Sequence, residues 1–316
     1  MYVLMKRNLK ILLARPRGFC AGVVRAIDVV NKAIDLYGAP VYVRHEIVHN
    51  KRVVESLRER GAVFVKELDE IPAGGVTIFS AHGVAEAIET NAHERGLPVI
   101  DATCPLVSKV HAEGRRHAGQ GMDVIMVGHN DHPEVEGTRG RIPGGVQVVS
   151  SVTDVNNLSV KDPKKLAFVT QTTLSVDDTR DIIAMLRERF PAIEGPDLDD
   201  ICYATQNRQS SVRDLCKRID LLLVVGAENS SNSNRLMEIG IEMKIQSYLI
   251  DDADAFDEKW LEGIETIGIT AGASAPEELI SELLDMLANL AETTVDEISD
   301  MVENIHFKLP KALNVP

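Results

Sequence analysis

The sequence has 316 residues, 44% hydrophobic and 26% charged, a globular composition with room for two or three domains. Its 34 Lys and Arg against 48 Asp and Glu give a net charge of −14, and only 4% of residues are aromatic. An acidic surface repels phosphate backbones, and so few rings offer no base-stacking platform, which excludes general nucleic-acid and anionic-membrane binding. Apolar runs such as Leu221–Val225 fall far short of the ~20 residues that span a bilayer. The opening MYVLMKRNLK lacks a signal-peptide core, a cleavage site and an Arg/Ser-rich transit pattern, so a cytoplasmic protein of bacterial type is expected.

In chain order, strands are predicted at Lys10–Ala14, Val41–Arg44, Val76–Ser80, Val124–Val127, Lys165–Thr170, Leu221–Val225 and Thr266–Thr270. They are nearly continuous apolar runs, as in parallel sheets covered on both faces. Helical spacing lies between them: Val23, Ile27, Val30 and Ile34, then Val212, Leu215, Cys216 and Ile219. Such alternation reads as an α/β fold. Mild breaks fall near Pro191–Pro196 and Asp251–Glu258. Asp101-Ala-Thr-Cys104 and Asp199-Asp-Ile-Cys202 share the pattern D-x-x-C, and Pro-Arg-Gly-Phe-Cys20 enters a helix similarly without the aspartate. The spacing suggests three related small α/β units.

Four cysteines are either core filler or chemistry, because a chain this long needs no disulfide to build a core. Cys216 lies on the apolar stripe of its helix and reads as core. Cys20, Cys104 and Cys202 each stand where a helix begins, and Pro105 suits a first helical position. A helix N-terminus favours the thiolate, the form that attacks or ligates. No Cys-x-x-Cys spacing occurs, against zinc ribbons and ferredoxin runs. Three dispersed thiolates could still converge as an incomplete ligand set for a cubane iron–sulfur cluster, leaving a fourth iron open.

Polar clusters mark several strand ends: His49-Asn50, Ser80–Gly83, Gly128–Glu134, Thr170–Thr173, Glu228–Asn234 and Thr270–Ser274. Carboxyl ends of parallel strands are where ligands bind. Ser, Asn and backbone N–H groups at helix starts can hold phosphate, although the same residues also serve simply as caps. The run Ser230–Asn234 exceeds the needs of one cap. His49, His82 and His132 follow strand ends, whereas His93, His111, His117 and His306 are expected on helix surfaces or in the tail. Glu134 is the candidate general acid, with a surface glutamate as the alternative. Walker A and Gly-x-Gly-x-x-Gly motifs are missing, so nucleotide binding is unsupported.

These motifs, PRGFCAGV, YVRHEIVHN, FSAHGV, DATCPLV, GHNDHPEVEGT, TQTTLSVDDT, DDICYAT, NSSNSNRL and TAGASAP, resemble the LytB family of 4-hydroxy-3-methylbut-2-enyl diphosphate reductases, from about Ile11 to Pro310. The resemblance implies three α/β units with parallel sheets arranged pseudo-threefold around an iron–sulfur cluster. Their bounds would be 22–104, 105–198, and 1–21 with 199–290, followed by a C-terminal tail at 291–316. It implies a [4Fe–4S] cluster on Cys20, Cys104 and Cys202, with one open iron for the substrate hydroxyl. The diphosphate would lie among His49, His82, Ser230, Asn232 and Ser274, with Ser231 nearby. Thr172 and Glu134 would contact the hydroxyl, and His132 would stand beside the proton path. The reaction implied is reductive dehydroxylation to isopentenyl and dimethylallyl diphosphate, the last step of the non-mevalonate isoprenoid pathway. A ferredoxin or flavodoxin would supply the electrons. Two other readings stand beside it: a zinc hydrolase using His49, His82, His132 and Glu134, which leaves the cysteines idle, and a non-catalytic iron–sulfur electron carrier or sensor, which leaves the polar pocket idle.

Overall fold

The structure is a computed structural model and describes residues 7–299 and 301–313. Residues 1–6 of the segment 1–21, and residues 300 and 314–316 of the expected tail, lie outside it.

The first third runs β1 (Asn8–Leu13), α1 (Ala21–Tyr37), β2 (Val41–Arg44), α2 (Lys51–Glu59), β3 (Ala62–Val65), β4 (Thr77–Phe79), α3 (Glu86–Glu94) and β5 (Val99–Asp101). Next come α4 (Pro105–Gly119), β6 (Asp123–Val127), α5 (Pro133–Arg139), β7 (Val146–Val149), α6 (Val152–Asn157), β8 (Leu166–Thr170) and α7 (Val176–Arg189). The remainder is α8 (Tyr203–Cys216), β9 (Leu221–Val225), α9 (Ser231–Glu242), β10 (Gln246–Ile250), β11 (Thr266–Ala271), α10 (Glu277–Leu290) and β12 (Glu292–Glu297). The strands form three sheets with every pairing parallel, in the orders β10-β9-β11-β1-β12, β3-β2-β4-β5 and β7-β6-β8. The α/β expectation is met. No helix among the described residues is long and apolar enough to cross a membrane.

By contacts the chain falls into two compact units. One is Met1–Cys20, His49–Lys51 and Tyr203–Ile305, built on the five-stranded sheet. There β9 (LLLVV) is buried throughout, and its alternate residues serve opposite faces. Leu221, Leu223 and Val225 pack with Ile11, Ile267 and Ile269 beneath Leu279, Leu283 and Leu287 of α10. Leu222 and Val224 pack with Val212, Leu215 and Cys216 of α8, with Ile219 in the turn after it, and with Leu236 and Ile239 of α9. Cys216 is therefore core, and burial pushes its thiol up to about 11. Strand β12 comes from the segment expected as a tail. Its polar sequence ETTVDE is mostly exposed, and it is held at the sheet edge by pairing with β1.

The second unit is Ala21–Val48, Arg52–Cys202 and His306–Pro316, with the four- and three-stranded sheets. Helix α4 follows β5 yet packs on β6 and β8, so the chain changes sheet at Cys104. The buried stripe of α1 is Val23, Ala26, Val29, Val30 and Ala33, while Ile27 and Ile34 are only half-buried. His111 and His117 were expected on a helix surface; both are buried, at 4% and 3% exposure. The side of α4 carrying Val107, Val110 and Gly114 faces inward and takes both imidazoles with it. A Cβ on Gly83 (φ +79°) would stand 2.6 Å from Cε1 of His111, so the glycine leaves room for that ring. Burial drives His111 down to about 4, which keeps it neutral.

Gly268 of β11 lets α8 approach: a Cβ there would stand 2.5 Å from Ile219 and 2.9 Å from Leu215. Gly268→Val should therefore cost about 1–3 kcal/mol by overpacking, seen as a lower urea midpoint. Cys216→Ala should cost no more than about 1 kcal/mol on the same assay, because it removes one small buried atom. Equal midpoints for Gly268→Val and the parent would contradict this packing.

Candidate active site

All three helix-start cysteines are anchored in the same manner. The Cys20 N–H donates to the Ala273 carbonyl (3.1 Å), the Cys104 N–H to Ala81 (2.9 Å) and the Cys202 N–H to Thr172 (3.0 Å). Each acceptor lies two residues beyond the end of a strand, respectively β11, β4 and β8. Helices α1, α4 and α8 begin directly after these thiols, and all three thiols are partly exposed, unlike Cys216. Sulfur is the soft donor that iron–sulfur clusters take.

Within the second unit the anchors continue into a connected polar chain. Beside Ala81 stands His82, whose Nδ1 lies 3.3 Å from Ser80 Oγ and whose ring meets His132 edge-on at 5.8 Å between centroids. His132 caps α5: its Nδ1 accepts the Glu134 N–H at 3.1 Å, so in the neutral ring Nε2 carries the proton. Pro133 at the first helical position has no N–H to satisfy there. Glu134 is 2% exposed and is not the surface glutamate considered above. Its Oε1 accepts the Thr172 N–H (2.7 Å) and its Oε2 the Thr172 hydroxyl (2.8 Å). Burial raises this carboxyl to about 7, against the two Thr172 bonds, which pull it down. A proton holder poised near neutrality results, hydrogen-bonded to Thr172, the residue whose carbonyl anchors Cys202.

Within the first unit, Ser274 Oγ donates to the His49 carbonyl (2.9 Å), one residue past the Cys20 anchor Ala273. Ser230 caps α9, accepting from the Ser233 N–H (3.3 Å) and the Ser233 hydroxyl (3.0 Å). Gly226 and Gly272 make room for the Ser233 hydroxyl, and a Cβ on Gly272 would stand 3.5 Å from Asn232 Nδ2. Asn232 is 4% exposed, yet neither its amide nitrogen nor its oxygen has a hydrogen-bond partner. A buried amide lacking both bonds costs a few kcal/mol unless a ligand supplies them. Ser231 is half-buried in the same turn of α9. Cys20, His49, Ser230, Ser231, Asn232 and Ser274 thus belong to one unit, and His82, Cys104, His132, Glu134, Thr172 and Cys202 to the other.

Sequence reasoning passed over Asp200, which is 2% exposed. Its Oδ2 accepts the Thr170 N–H (3.2 Å) and its Oδ1 lies 3.2 Å from Lys109 Nζ. Burial raises its pKa, and its proximity contributes to the rise of Glu134. The motif Asp-Asp-Ile-Cys202 contained it, but two adjacent aspartates gave no sign of which one is inside. Gln171, fully buried, was passed over as well; its Oε1 accepts the His129 N–H (3.1 Å) and shapes the turn before His132.

The family described as LytB protein matches residues 11–288. The 4-hydroxy-3-methylbut-2-enyl diphosphate reductase of Zymomonas mobilis is 58% identical over 305 residues, covering 96% of this chain and 90% of that protein. The like-named reductase 1 of Rhodopseudomonas palustris is 58% identical, covering 95% and 98%. Among solved structures, the E-1-hydroxy-2-methyl-but-2-enyl-4-diphosphate reductase of Plasmodium falciparum superposes with a TM-score of 0.91 at 37% identity, covering 98% and 97%.

The Glu134 carboxyl should titrate near pH 7. The neutral form is favoured in the folded chain, so its stability is fully present below the ordinary value of 4.5 and is lost as pH rises through about 7. An infrared band of a protonated carboxyl should disappear with that midpoint and be missing in Glu134→Gln. From about pH 5 to about pH 8 the variant should gain stability relative to the parent, each pH unit between the two pKa values being worth about 1.4 kcal/mol. A carboxyl fully ionised by about pH 5 would refute the burial argument.

Proposed function

We propose, from the premise that this chain belongs to the LytB family, that it reduces (E)-4-hydroxy-3-methylbut-2-enyl diphosphate to isopentenyl and dimethylallyl diphosphate. This is the terminal step of the non-mevalonate route, and the enzyme would act in the cytosol. The observation that carries the reading is Glu134: a buried carboxyl holding a proton near neutrality, bonded through Thr172 to the loop of Cys202.

The overall change replaces a C–O bond by a C–H bond; it consumes two electrons and two protons and releases water. Cys20, Cys104 and Cys202 would hold a [4Fe–4S] cluster, which would supply the electrons singly and Lewis acidity toward the hydroxyl. Glu134 delivers a proton to the departing oxygen, because hydroxide leaves poorly and water leaves well. Thr172, donating to both carboxyl oxygens, fixes the direction of that proton. His132 holds the backbone of Glu134 with Nδ1 and so stands beside the proton path. The second proton ends on either terminus of the allyl unit, giving the two products.

His49, His82, Ser230, Ser231, Asn232 and Ser274 are the groups we assign to the diphosphate. They are neutral hydrogen-bonding groups at strand ends and a helix start, so the anion would be held without an Arg or Lys clamp. The unpartnered Asn232 amide supports this assignment. A small one-electron carrier, a ferredoxin or flavodoxin, is the electron donor implied.

Anaerobically purified protein, given the substrate and a reductant, should lose the substrate hydroxyl and yield both isomers. No loss of the hydroxyl from an iron-loaded chain would reject the reductase reading. Glu134→Gln should lower kcat by about 10²–10⁴. Asn232→Ala should raise KM about tenfold with a smaller effect on kcat, as loss of bonds to the non-reacting diphosphate requires. An unchanged kcat in the first or an unchanged KM in the second would refute the role given to that residue.

A further inference from the structure

Three cations on the helices that leave the cysteines make a recurring contact. The fifth residue of α1, Arg25, donates from Nη1 to the carbonyls of Ala102 (3.0 Å) and Thr103 (3.1 Å), the two residues before Cys104. The fifth residue of α4, Lys109, donates from Nζ to the Asp199 carbonyl (3.0 Å) and pairs with the Asp200 carboxylate (3.2 Å), the residues leading into Cys202. The sixth residue of α8, Arg208, donates from Nε and Nη2 to the Gly18 carbonyl (3.1 and 2.6 Å) and from Nη2 to Phe19 (3.4 Å), the two residues before Cys20.

The order is cyclic. The helix after Cys20 holds the loop of Cys104, the helix after Cys104 holds the loop of Cys202, and the helix after Cys202 holds the loop of Cys20. We infer that Arg25, Lys109 and Arg208 are positioning residues that fix the approach of each cysteine loop, so that all three thiols are set for one cluster by a closed head-to-tail ring of clamps. The inference rests on the cluster reading above.

A buried arginine needs acceptors, and carbonyls often serve, so one such contact would mean little. Arg25 and Arg208 are 9% and 0% exposed and have this need. Lys109 does not: its side chain is 47% exposed and could stay in water. Burial also does not explain why each cation reaches the residues that lead into a cysteine, from the same turn of the helix that follows a different one. Holding the residues that lead into the cysteine, directly before it for Arg25 and Arg208 and two and three positions before it for Lys109, restricts the backbone torsions of the loop and hence the direction of Cβ–Sγ, while the N–H anchor beyond the strand holds the cysteine itself.

The C-terminal segment braces two of the three. Lys308 offers its carbonyl to Arg25 Nε at 2.8 Å. Glu303 lies 3.2 Å from Arg208 Nη1 and accepts from Asn207 Nδ2 at 2.9 Å. The residues after β12 thus support the clamps on Cys104 and Cys20.

The test uses Arg25→Met, Lys109→Met and Arg208→Met in the full chain, with Arg25→Lys, Lys109→Arg and Arg208→Lys as conservative partners. Amide hydrogen exchange of the iron-free chain should rise about tenfold at 102–104 for the Arg25 variant, at 199–202 for Lys109 and at 18–20 for Arg208, the loss of one or two hydrogen bonds each. In every case the cysteine preceding the altered helix should be undisturbed. Iron release from the loaded protein to a chelator should quicken by a similar factor in the Met variants and recover in the conservative ones. Exchange that rises at the cysteine preceding the altered helix, at all three loops alike, or at none would overturn the ring. So would the expected exchange pattern with unaltered iron release. Lys109→Met removes a half-exposed side chain, so the test stands even if Arg208→Met does not fold. The exchange experiment needs no metal, which separates failure of the ring from failure of the cluster reading.

Discussion

One backbone hydrogen bond, made three times, sets the rest of the molecule in place. A cysteine N–H reaches the carbonyl two residues past the end of a strand, and the next residues turn into a helix. Of the acceptor strands, β11 and β4 lie inside their sheets and β8 lies at an edge, covered by α4. Parallel sheets bring their ligand-binding loops to the carboxyl ends of strands, so every anchor delivers a thiol and a polar loop together. The polar loops follow directly: His82 next to Ala81, Ser274 next to Ala273, and Thr172 itself. Moving any of these strands by one residue would reverse its inward and outward faces and displace its thiol.

Two kinds of burial then divide the chemistry. In one unit, desolvation raises Glu134 while Thr172 restrains it, leaving a carboxyl close to neutrality. In the other, Asn232 is buried with its amide unsatisfied, which a folded protein retains only where something else completes it. The net charge of −14 does not conflict with an anionic substrate, since a local set of neutral donors can hold phosphate whatever the distant surface carries.

Much of this was legible in the sequence, for definite reasons. Val41–Arg44 and Leu221–Val225 are observed where the apolar runs placed them, because strands covered on both faces have no polar position to confuse the pattern. Edge strand β12 was not legible: ETTVDE is exposed, and only pairing with β1 makes it a strand. The stripe on α1 was misplaced because small Ala26 and Ala33 face inward in place of Ile27 and Ile34. His111 and His117 looked like solvated helix residues, and nothing local tells that Gly83 opens a hole for the first. The candidate site residues could be named from polar clusters at strand ends and helix starts. The three cations could not, since a Lys or Arg in the second turn of a helix ordinarily reads as a solvated face.

The central claim is that three cysteines serve one cluster and the fourth serves the core. It is tested most directly by replacing each cysteine with serine in turn and measuring iron and acid-labile sulfide in anaerobically purified protein. The account predicts about four of each in the parent and in Cys216→Ser, and loss of both in Cys20→Ser, Cys104→Ser and Cys202→Ser. Full iron content in any of those last three, or its loss in Cys216→Ser alone, would contradict it.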